Sequence, residues 1–321
     1  MNSLVVAQAR PLNRATLIQR ELVHRTSLAE VLLTDVEQVR EHVFRAAAQW
    51  TRSHPTFDRA GDGRHDPLMV AETLRQLGIC IPLRYYPVEP DAHFLIEELG
   101  FGLDPATEPK ARFAGSEITC EVEASQFRFG RPGRARGGSG GQGEGRGQDQ
   151  DQAPLQRLHL AVRFFTEEAE FAQAQGFAQI LSPATFAAVR RRKPADDPSE
   201  HVPMTRLDPR LIGARLESDV LISLDPSGGV RLDPADPYHP FFFDHDADHV
   251  PGMVLLEAVR QAATLQAGVP RLRTVRCDLQ ASRFTEPSPP AHIECAVAGN
   301  VCEFEVRQLG QQTASGSLHF G

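Results

Sequence analysis

The fold is decided by two stretches that repeat each other: HDPLMVAETLRQ at residues 65–76 and HVPGMVLLEAVRQ at residues 249–261. In both, a glutamate, an arginine and a glutamine follow apolar residues in the same order, and Glu72 and Glu257 stand 185 positions apart. A proline near the start of each stretch predicts the beginning of a helix, because proline is favoured in the first helical turn. Apolar residues cover most of the circumference of both predicted helices, so we expect both helices to be buried.

Strand-like runs surround the two predicted helices in the same order. One run precedes each helix, at 27–33 and at 216–224. Four runs follow each helix, at 94–103, 118–129, 158–165 and 174–181 in the first half and at 274–284, 292–298, 302–309 and 313–320 in the second. One strand, one apolar helix and four more strands is the order of a hotdog fold, in which an antiparallel sheet wraps around a central helix. We therefore predict an α+β chain of two tandem hotdog domains that form an internal pseudo-dimer.

Two polar segments indicate the domain boundaries. Residues 131–153 read RPGRARGGSGGQGEGRGQDQDQA and hold eight of the 25 glycines. Because strand-like runs flank this segment, we interpret it as a disordered insert in a hairpin and not as a link between domains. Residues 191–200 mix basic, proline and acidic residues, with Ala195 as the only hydrophobic residue, which is typical of a linker. The first domain is therefore predicted at 1–190 and the second at 201–321.

The composition limits the classes of function. The 42 acidic residues outnumber the 34 basic ones and give a net charge of −8, which argues against a surface devoted to nucleic acid or anionic lipid. The chain has no long apolar run and no signal-peptide pattern, so we expect a cytoplasmic protein without a membrane partner. The five cysteines form no C-x-x-C pair, and no nucleotide-binding glycine pattern is present, so we expect neither a metal nor another cofactor.

The two helix glutamates are the first candidates for catalysis. Burial raises the pKa of a carboxyl group and makes it a better general base near neutral pH. Arg75 and Arg260 lie three residues further along each helix, however, and an ion pair at that spacing would lower the pKa again. A catalytic role and a duplicated structural brace both fit this pattern, and the sequence leaves both open.

Histidines lie near the start of each predicted helix, with His54 in the first half and His245 and His249 in the second. A helix N-terminus offers unpaired N–H groups, so a thioester carbonyl at Gly252 could be polarised there. The acidic residues and histidines of 244–249 also suggest a metal site, but Pro251 places them ahead of the helix and so removes the one-face helical spacing. We predict substrate binding for these histidines, with a solvated loop as the remaining alternative.

Residues 241–261 resemble the hotdog dehydratases that act on acyl carrier protein. The resemblance lies in FFFDH followed by HVPGMVLLEAVRQ. It matches Glu257 with the catalytic glutamate of those enzymes and His245 with their catalytic histidine. The spacing between His245 and Pro251 is shorter than the pattern of that family.

The chain is more similar to the A-factor synthase (AfsA) family of tandem-hotdog proteins, and this resemblance spans nearly the whole sequence. It is carried by LVHRTSLAEVLLTD at 22–35, AAAQWTRSH at 46–54, GRHDPLMVAETLRQ at 63–76 and DHVPGMVLLEAVRQ at 248–261. The resemblance implies an acyltransferase of the 2-oxo-3-(phosphooxy)propyl 3-oxoalkanoate synthase type. Such an enzyme transfers a 3-oxoacyl chain from acyl carrier protein to the hydroxyl of dihydroxyacetone phosphate, towards γ-butyrolactone signals. The resemblance also implies catalytic roles for Glu72 and Glu257.

A mechanism follows from this resemblance and from the residues. One glutamate would deprotonate the acceptor hydroxyl, and the helix start near Gly252 would stabilise the thioester oxyanion. Arg75 and Arg260 would hold the phosphate by paired hydrogen bonds. The alternatives are a dehydratase or thioesterase that acts on carrier-bound acyl groups, and a regulator that binds an acyl chain or butyrolactone without catalysis.

Overall fold

The computed structural model describes most of both predicted domains, namely residues 10–57, 63–110, 113, 115–131, 153–167, 169–191, 202–270 and 272–321. The predicted insert at 131–153 and the predicted linker at 191–200 lie almost entirely outside these ranges. Their boundaries therefore stay predictions.

The described residues of the first half form a helix and six strands, with a second, short helix after them. In chain order these are β1 (Leu33–Arg40), β2 (Val43–Thr51), α1 (Leu68–Tyr85), β3 (His93–Leu103), β4 (Gly115–Phe129), β5 (Leu155–Phe165), β6 (Glu170–Leu181) and α2 (Pro183–Arg190). Asp66 accepts a hydrogen bond from the backbone N–H of Leu68 at 2.9 Å and so caps α1.

The second half has three short strands ahead of its central helix, where the first half has two, and again four strands after it. Its elements are β7 (Thr205–Arg206), β8 (Ile222–Leu224), β9 (Val230–Leu232), α3 (Gly252–Ala267), β10 (Thr274–Ala281), β11 (His292–Ala298), β12 (Val301–Gln308) and β13 (Gln311–Phe320). The four strands predicted after each helix are therefore present.

All these strands belong to one antiparallel sheet. The strand order is β1-β2-β4-β5-β6-β3-β10-β13-β12-β11-β9-β8-β7. The halves meet where β3 pairs with β10, from Gly102 opposite Arg276 to Glu98 opposite Gln280. A continuous sheet with one buried helix from each half confirms the predicted pair of hotdog domains and their internal pseudo-dimer.

The central helices are buried because most of their surface is apolar. In α1 the buried side chains include Met69 and Leu77, and in α3 they include Leu256 and Val259. The strands supply alternating side chains to the same core, as in β5, where Leu158, Leu160 and Val162 are buried. No helix among the described residues is long and apolar enough to cross a membrane.

The predicted strands at 27–33 and 216–224 are wrong over most of their length. Short 3-10 turns occupy Leu28–Glu30 and Glu217–Asp219, and strands begin only at Leu33 and Ile222. The physical reason lies in the helix glutamines, which give these segments side-chain hydrogen bonds in place of a sheet ladder. Gln76 Oε1 accepts the N–H of Leu32 at 2.9 Å, and Gln261 Oε1 accepts the N–H of Leu221 at 2.8 Å. The hairpin strands β2 and β9 were not predicted.

Candidate active site

Glu72 lies in the second turn of α1 and is fully buried. Its carboxylate is held by two arginines: Arg75 Nε donates to Oε2 at 2.8 Å, and Arg25 Nη2 lies 2.9 Å from Oε1. Gln76 Nε2 also donates to Oε1, at 2.7 Å. A buried carboxylate needs such cationic and hydrogen-bonding partners to remain charged.

The charge state of Glu72 follows from a competition between burial and these partners. Burial raises the pKa of the carboxyl group. The charges of Arg25 and Arg75, together with the hydrogen bonds from Arg75 and Gln76, outweigh burial and lower the pKa of Glu72 to about 2. The ion pair with the residue at i+3 is therefore present, and an arginine from outside the helix adds to it. In this arrangement Glu72 has little tendency to accept a proton.

Arg25 comes from the segment ahead of β1 and reaches the second half of the chain. Its Nη1 donates to the carbonyl of Phe241 at 2.7 Å, and its guanidinium lies 4.5 Å from the centre of the Phe241 ring. Next to it, the backbone N–H of Thr26 donates to the carboxylate of Asp244 at 2.8 Å. The surroundings of Glu72 are therefore built from both halves of the chain.

His24 and His245 lie close enough to Arg75 for its charge to affect them. Burial and the charge of Arg75 lower the pKa of His24 to about 4, and the same two causes lower the pKa of His245. Both imidazoles are neutral at neutral pH, so each has a ring nitrogen that can accept a hydrogen bond. The dehydratase resemblance pairs His245 with Glu257, whereas the structure places it beside the arginines that bind Glu72.

The start of α3 reaches the same region. A Cβ placed at Gly252 would lie 2.9 Å from Cδ1 of Ile96 in β3, so glycine lets the helix start pack closely against this strand. Ile96 also lines a small cavity beside α1, and Arg75 lines the same cavity. The lining of this cavity thus includes one residue that lies against the N-terminus of α3, Ile96, and one that binds Glu72, Arg75.

Glu257 occupies the corresponding position in α3 but has different surroundings. It is also fully buried, and Gln261 Nε2 donates to its Oε1 at 2.9 Å. Arg260 Nη1 lies 3.2 Å from Glu257 Oε2 and also donates to Asp66 Oδ1 at 2.8 Å. Burial disfavours the charge of Arg260, but Asp66 and Glu257 outweigh burial and raise the pKa of this arginine. One buried arginine is therefore shared between two carboxylates.

Asp66 binds Arg260, the arginine next to Glu257. Arg260 binds both carboxylate oxygens of Asp66, with Nη2 donating to Oδ2 at 3.2 Å, while Oδ1 also caps α1. The start of α1 is therefore tied to α3 by a buried ion pair. A phosphate could bind Arg260 only by displacing Asp66, so the predicted phosphate contact at Arg260 lacks an open approach.

A family model matches most of this sequence. The model is the AfsA A-factor biosynthesis hotdog domain, and the match covers residues 6–138 and 195–303. The chain belongs to the AfsA family.

Relatives of this AfsA-family chain align along nearly their full length. It is 29% identical over 299 residues to "2-oxo-3-(phosphooxy)propyl 3-oxoalkanoate synthase" of Streptomyces virginiae, covering 92% of this chain and 93% of that protein. The protein of the same name from Streptomyces griseus is 30% identical over 305 residues, covering 91% of this chain and 90% of that protein. Among solved structures, an acyl-ACP thioesterase from Bacteroides thetaiotaomicron aligns with 88% of this chain and 98% of its own, with a TM-score of 0.48 and 11% identity.

A second repeated pair in this AfsA-family chain was missed at the sequence level. His54 Nε2 lies 2.9 Å from Glu30 Oε2, and His239 Nε2 lies 3.0 Å from Asp219 Oδ1. All four side chains are buried. The available signal was a His-Pro pair that stands 18 residues before each helix glutamate. His54 is thus part of a buried histidine–carboxylate pair behind Phe241, and its predicted contact with substrate stays a prediction.

His249 lies towards α2. Its Nδ1 is 2.8 Å from Asp248 Oδ1, and its ring centre is 4.9 Å from that of Phe284. Asp248 also binds Arg190 of α2, whose Nε donates to it at 2.7 Å. Substrate binding by His249 stays a prediction.

The alternative of a metal site at 244–249 has no support in the geometry. In the part of the chain that the structure describes, no three histidine, cysteine or acidic side chains converge as metal ligands. Asp244 instead accepts the backbone N–H groups of Thr26 and Ser27, and Asp248 binds Arg190. These carboxylates connect segments of the protein.

Proposed function

We propose that this chain transfers a 3-oxoacyl group from acyl carrier protein to the hydroxyl of dihydroxyacetone phosphate. The observation that carries this proposal is the arrangement around Glu72, where a buried carboxylate, two arginines and two neutral histidines lie near the start of α3. The names of the curated relatives support the same reaction. A single region thus offers a base, an anion-binding group and a helix N-terminus.

We place the phosphate of the acceptor on Arg75. The Arg75 side chain is 15% exposed, whereas Glu72 and Arg25 are enclosed. A guanidinium binds phosphate by paired, charge-assisted hydrogen bonds, and a dianionic phosphate competes well with a carboxylate for it. Arg260 is a poorer candidate because it binds two carboxylates, those of Asp66 and Glu257, and its side chain is only 10% exposed.

Phosphate binding also explains how Glu72 becomes a base. Its pKa is low because the two arginines, together with the hydrogen bond from Gln76, outweigh its burial. When the phosphate draws Arg75 away, only Arg25 and Gln76 still oppose burial, and the pKa of Glu72 rises towards the range of a useful general base. The acceptor therefore activates the carboxylate that deprotonates it, and Glu72 stays inactive without the acceptor.

The reaction then balances as an acyl transfer. The acceptor hydroxyl loses its proton to Glu72, and its oxygen forms a bond to the thioester carbonyl carbon. N–H groups at the start of α3, near Gly252, stabilise the oxyanion. The carbon–sulfur bond breaks, and the proton passes from Glu72 to the departing thiolate of the carrier. The product is a 2-oxo-3-(phosphooxy)propyl 3-oxoalkanoate.

The experiment is mass spectrometry of the products that the purified full chain makes from 3-oxoacyl carrier protein and dihydroxyacetone phosphate. We expect the phosphorylated ester, and we expect little thioester breakdown when the phosphate acceptor is left out. Free 3-oxo acid without the acceptor would indicate a thioesterase. Removal of water from a 3-hydroxyacyl thioester would indicate a dehydratase, and tight butyrolactone binding without any turnover would indicate a regulator. Each of these three results contradicts the proposal.

A further inference from the structure

A small apolar cavity lies between α1 and the strands β3, β5 and β6. Its volume is about 40 Å³. That is room for about three water molecules at roughly 10–15 Å³ of probe space each. Its apolar lining consists of Leu74, Ile79, Ile96, Leu99, Leu160, Phe177 and Ala178, besides two glycines. A site with so few polar partners suits an alkyl chain better than water.

The cavity adjoins the proposed reaction site at two of its lining residues. Arg75 lines the cavity and binds Glu72 at 2.8 Å. Ile96 lines it too and lies against the position where Gly252 begins α3. An acyl chain whose carbonyl lies at the start of α3 is therefore separated from this cavity by the end of the Ile96 side chain, and it enters when that end moves aside.

The wall formed by β3 is irregular beside the cavity. Its pairing with β6 shifts by one residue between Ile96 and Glu98, which leaves Glu97 as a bulge. Glu97 instead binds Arg157, whose Nε donates to it at 2.5 Å. Such bulges bend a strand and re-aim its side chains, so this one allows Ile96 to lie between the cavity and α3.

Gly78 also lines the cavity, and neither close packing nor backbone geometry requires a glycine at this position. Glycine inside a helix costs about 0.5–1 kcal/mol of stability relative to alanine. Among the described residues, none would come within 4 Å of a Cβ placed at Gly78, and this residue does not adopt a positive φ. In α3 the corresponding position, 185 residues further on, holds Ala263, which is fully buried. The missing methyl group at position 78 thus leaves open space on the cavity side of α1.

We propose that the substrate's acyl chain occupies this cavity and that Gly78 determines how long a chain it accepts. This inference rests on the proposed acyl transfer at Glu72. A long chain exceeds the volume of the empty cavity, so it must push aside the flexible ends of Leu74, Ile79 and Ile96. The open space at Gly78 lies where such a chain passes α1. A side chain placed there fills that space and shortens the chain that fits.

The test compares Gly78→Leu with the wild-type chain across 3-oxoacyl thioesters of increasing length. One extra or missing methylene in an apolar pocket changes kcat/KM by about 10-fold or more. We therefore expect Gly78→Leu to lower kcat/KM for the longest substrates at least about 10-fold and to leave the shortest nearly unchanged. Gly78→Ala should give a smaller shift in the same direction without a lower melting temperature, so it serves if the leucine variant does not fold. Gly102→Leu is the matched control, because Gly102 in β3 also has open space around its Cβ position but does not line this cavity.

Binding supplies a readout that does not depend on the reaction. Pantetheine thioethers with alkyl chains of different lengths cannot be transferred, and calorimetry measures their affinities for each variant. If wild-type protein catalyses no transfer but Gly78→Leu selectively weakens binding of the long thioethers, the proposed function fails and the cavity assignment stands. If transfer proceeds and the chain-length profiles of wild type, Gly78→Ala and Gly78→Leu run parallel, the cavity assignment is overturned and the proposed function stands.

Discussion

The two glutamates stand at equivalent positions of two similar helices, yet their surroundings differ in charge. Glu72 binds two arginines, of which Arg25 also donates to the carbonyl of Phe241 and Arg75 is partly open to solvent. Glu257 binds Arg260, which also binds Asp66 in a buried arrangement. The first region can exchange a partner with a ligand, whereas the second joins the halves of the protein. We therefore expect the two glutamates to differ in function although the fold is duplicated.

The two halves also differ in sequence ahead of their first strands. Glu30 and Asp219 play the same part in the two halves, because each binds a buried histidine. Five residues before Glu30 stands Arg25, whereas five residues before Asp219 stands Ala214. Position 214 therefore offers no guanidinium where the first half has that of Arg25.

We expect the largest effect from a pair of glutamine substitutions that tests this comparison of the two glutamates. General-base catalysis contributes about 10²–10⁴-fold, so we expect Glu72→Gln to lower kcat/KM about 10³-fold. Glu257→Gln should lower it much less, because Glu257 supports Arg260 and does not face an open approach. Steady-state kinetics and thermal unfolding of both variants check this, and each variant is the other's control for loss of a buried carboxylate. Equal kinetic losses would show that both glutamates belong to one composite site.

The sequence predicted the features that depend on local periodicity. The two apolar helices, the strands after them and the pairing of each glutamate with an arginine three residues on all follow from spacings within one turn or one strand. The predicted role of His245 in substrate binding stays a prediction, and the structure adds that His245 lies near Arg75 and Arg25. Sequence proximity does not report such contacts made across the pseudo-dimer.

No local spacing predicts the two residues that distinguish the surroundings of Glu72 from those of Glu257. Arg25 reaches Glu72 across 47 positions, and Asp66 reaches Arg260 across 194 positions. The helix cap that Asp66 provides is a local role, two residues from its donor Leu68. Its second role depends on how the halves associate. Contacts at such separations depend on the tertiary fold and leave no periodic pattern in one sequence.

The second prediction concerns the ion pair that closes the region around Glu257. Removing one partner of a buried ion pair costs about 3–5 kcal/mol, so we expect Asp66→Asn to lower the free energy of unfolding by about 3 kcal/mol. Asparagine still caps the helix, so the loss reports the ion pair. Denaturant unfolding measures it. Asp208→Asn is the control, because exposed Asp208 caps a 3-10 turn and binds Arg210 in a similar way, and its replacement should change little. An unfolding free energy equal to that of wild type would show that Asp66 does not hold the halves together.

The smallest expected effect is on the pH dependence of stability. It compares the regions around Glu72 and Glu257 through one histidine near each. His24 lies by Arg75, and His65 lies next to Asp66. Burial is the main cause that lowers the pKa of each to about 4, with Arg75 acting on His24 and Arg273 on His65. The unfolded chain takes up these protons near pH 6.5, whereas the folded chain takes them up only near pH 4. Between these values the unfolded state binds more protons, so stability is fully present above about pH 6.5 and falls as the pH is lowered towards 4.

His24→Gln and His65→Gln should therefore each make the free energy of unfolding less dependent on pH between about 6.5 and 4. We expect the change to be smaller for His24, because it is less completely buried and water screens the cost of its charge. Denaturant unfolding at several pH values in this window measures both slopes. Above pH 7 both histidines are neutral in the folded and unfolded states, so the pH dependence of each variant should match that of wild type there. A wild-type slope in His65→Gln would mean that its imidazole is solvated well enough to take up a proton in the folded protein, and the enclosed character of the Glu257 region would then have to be abandoned.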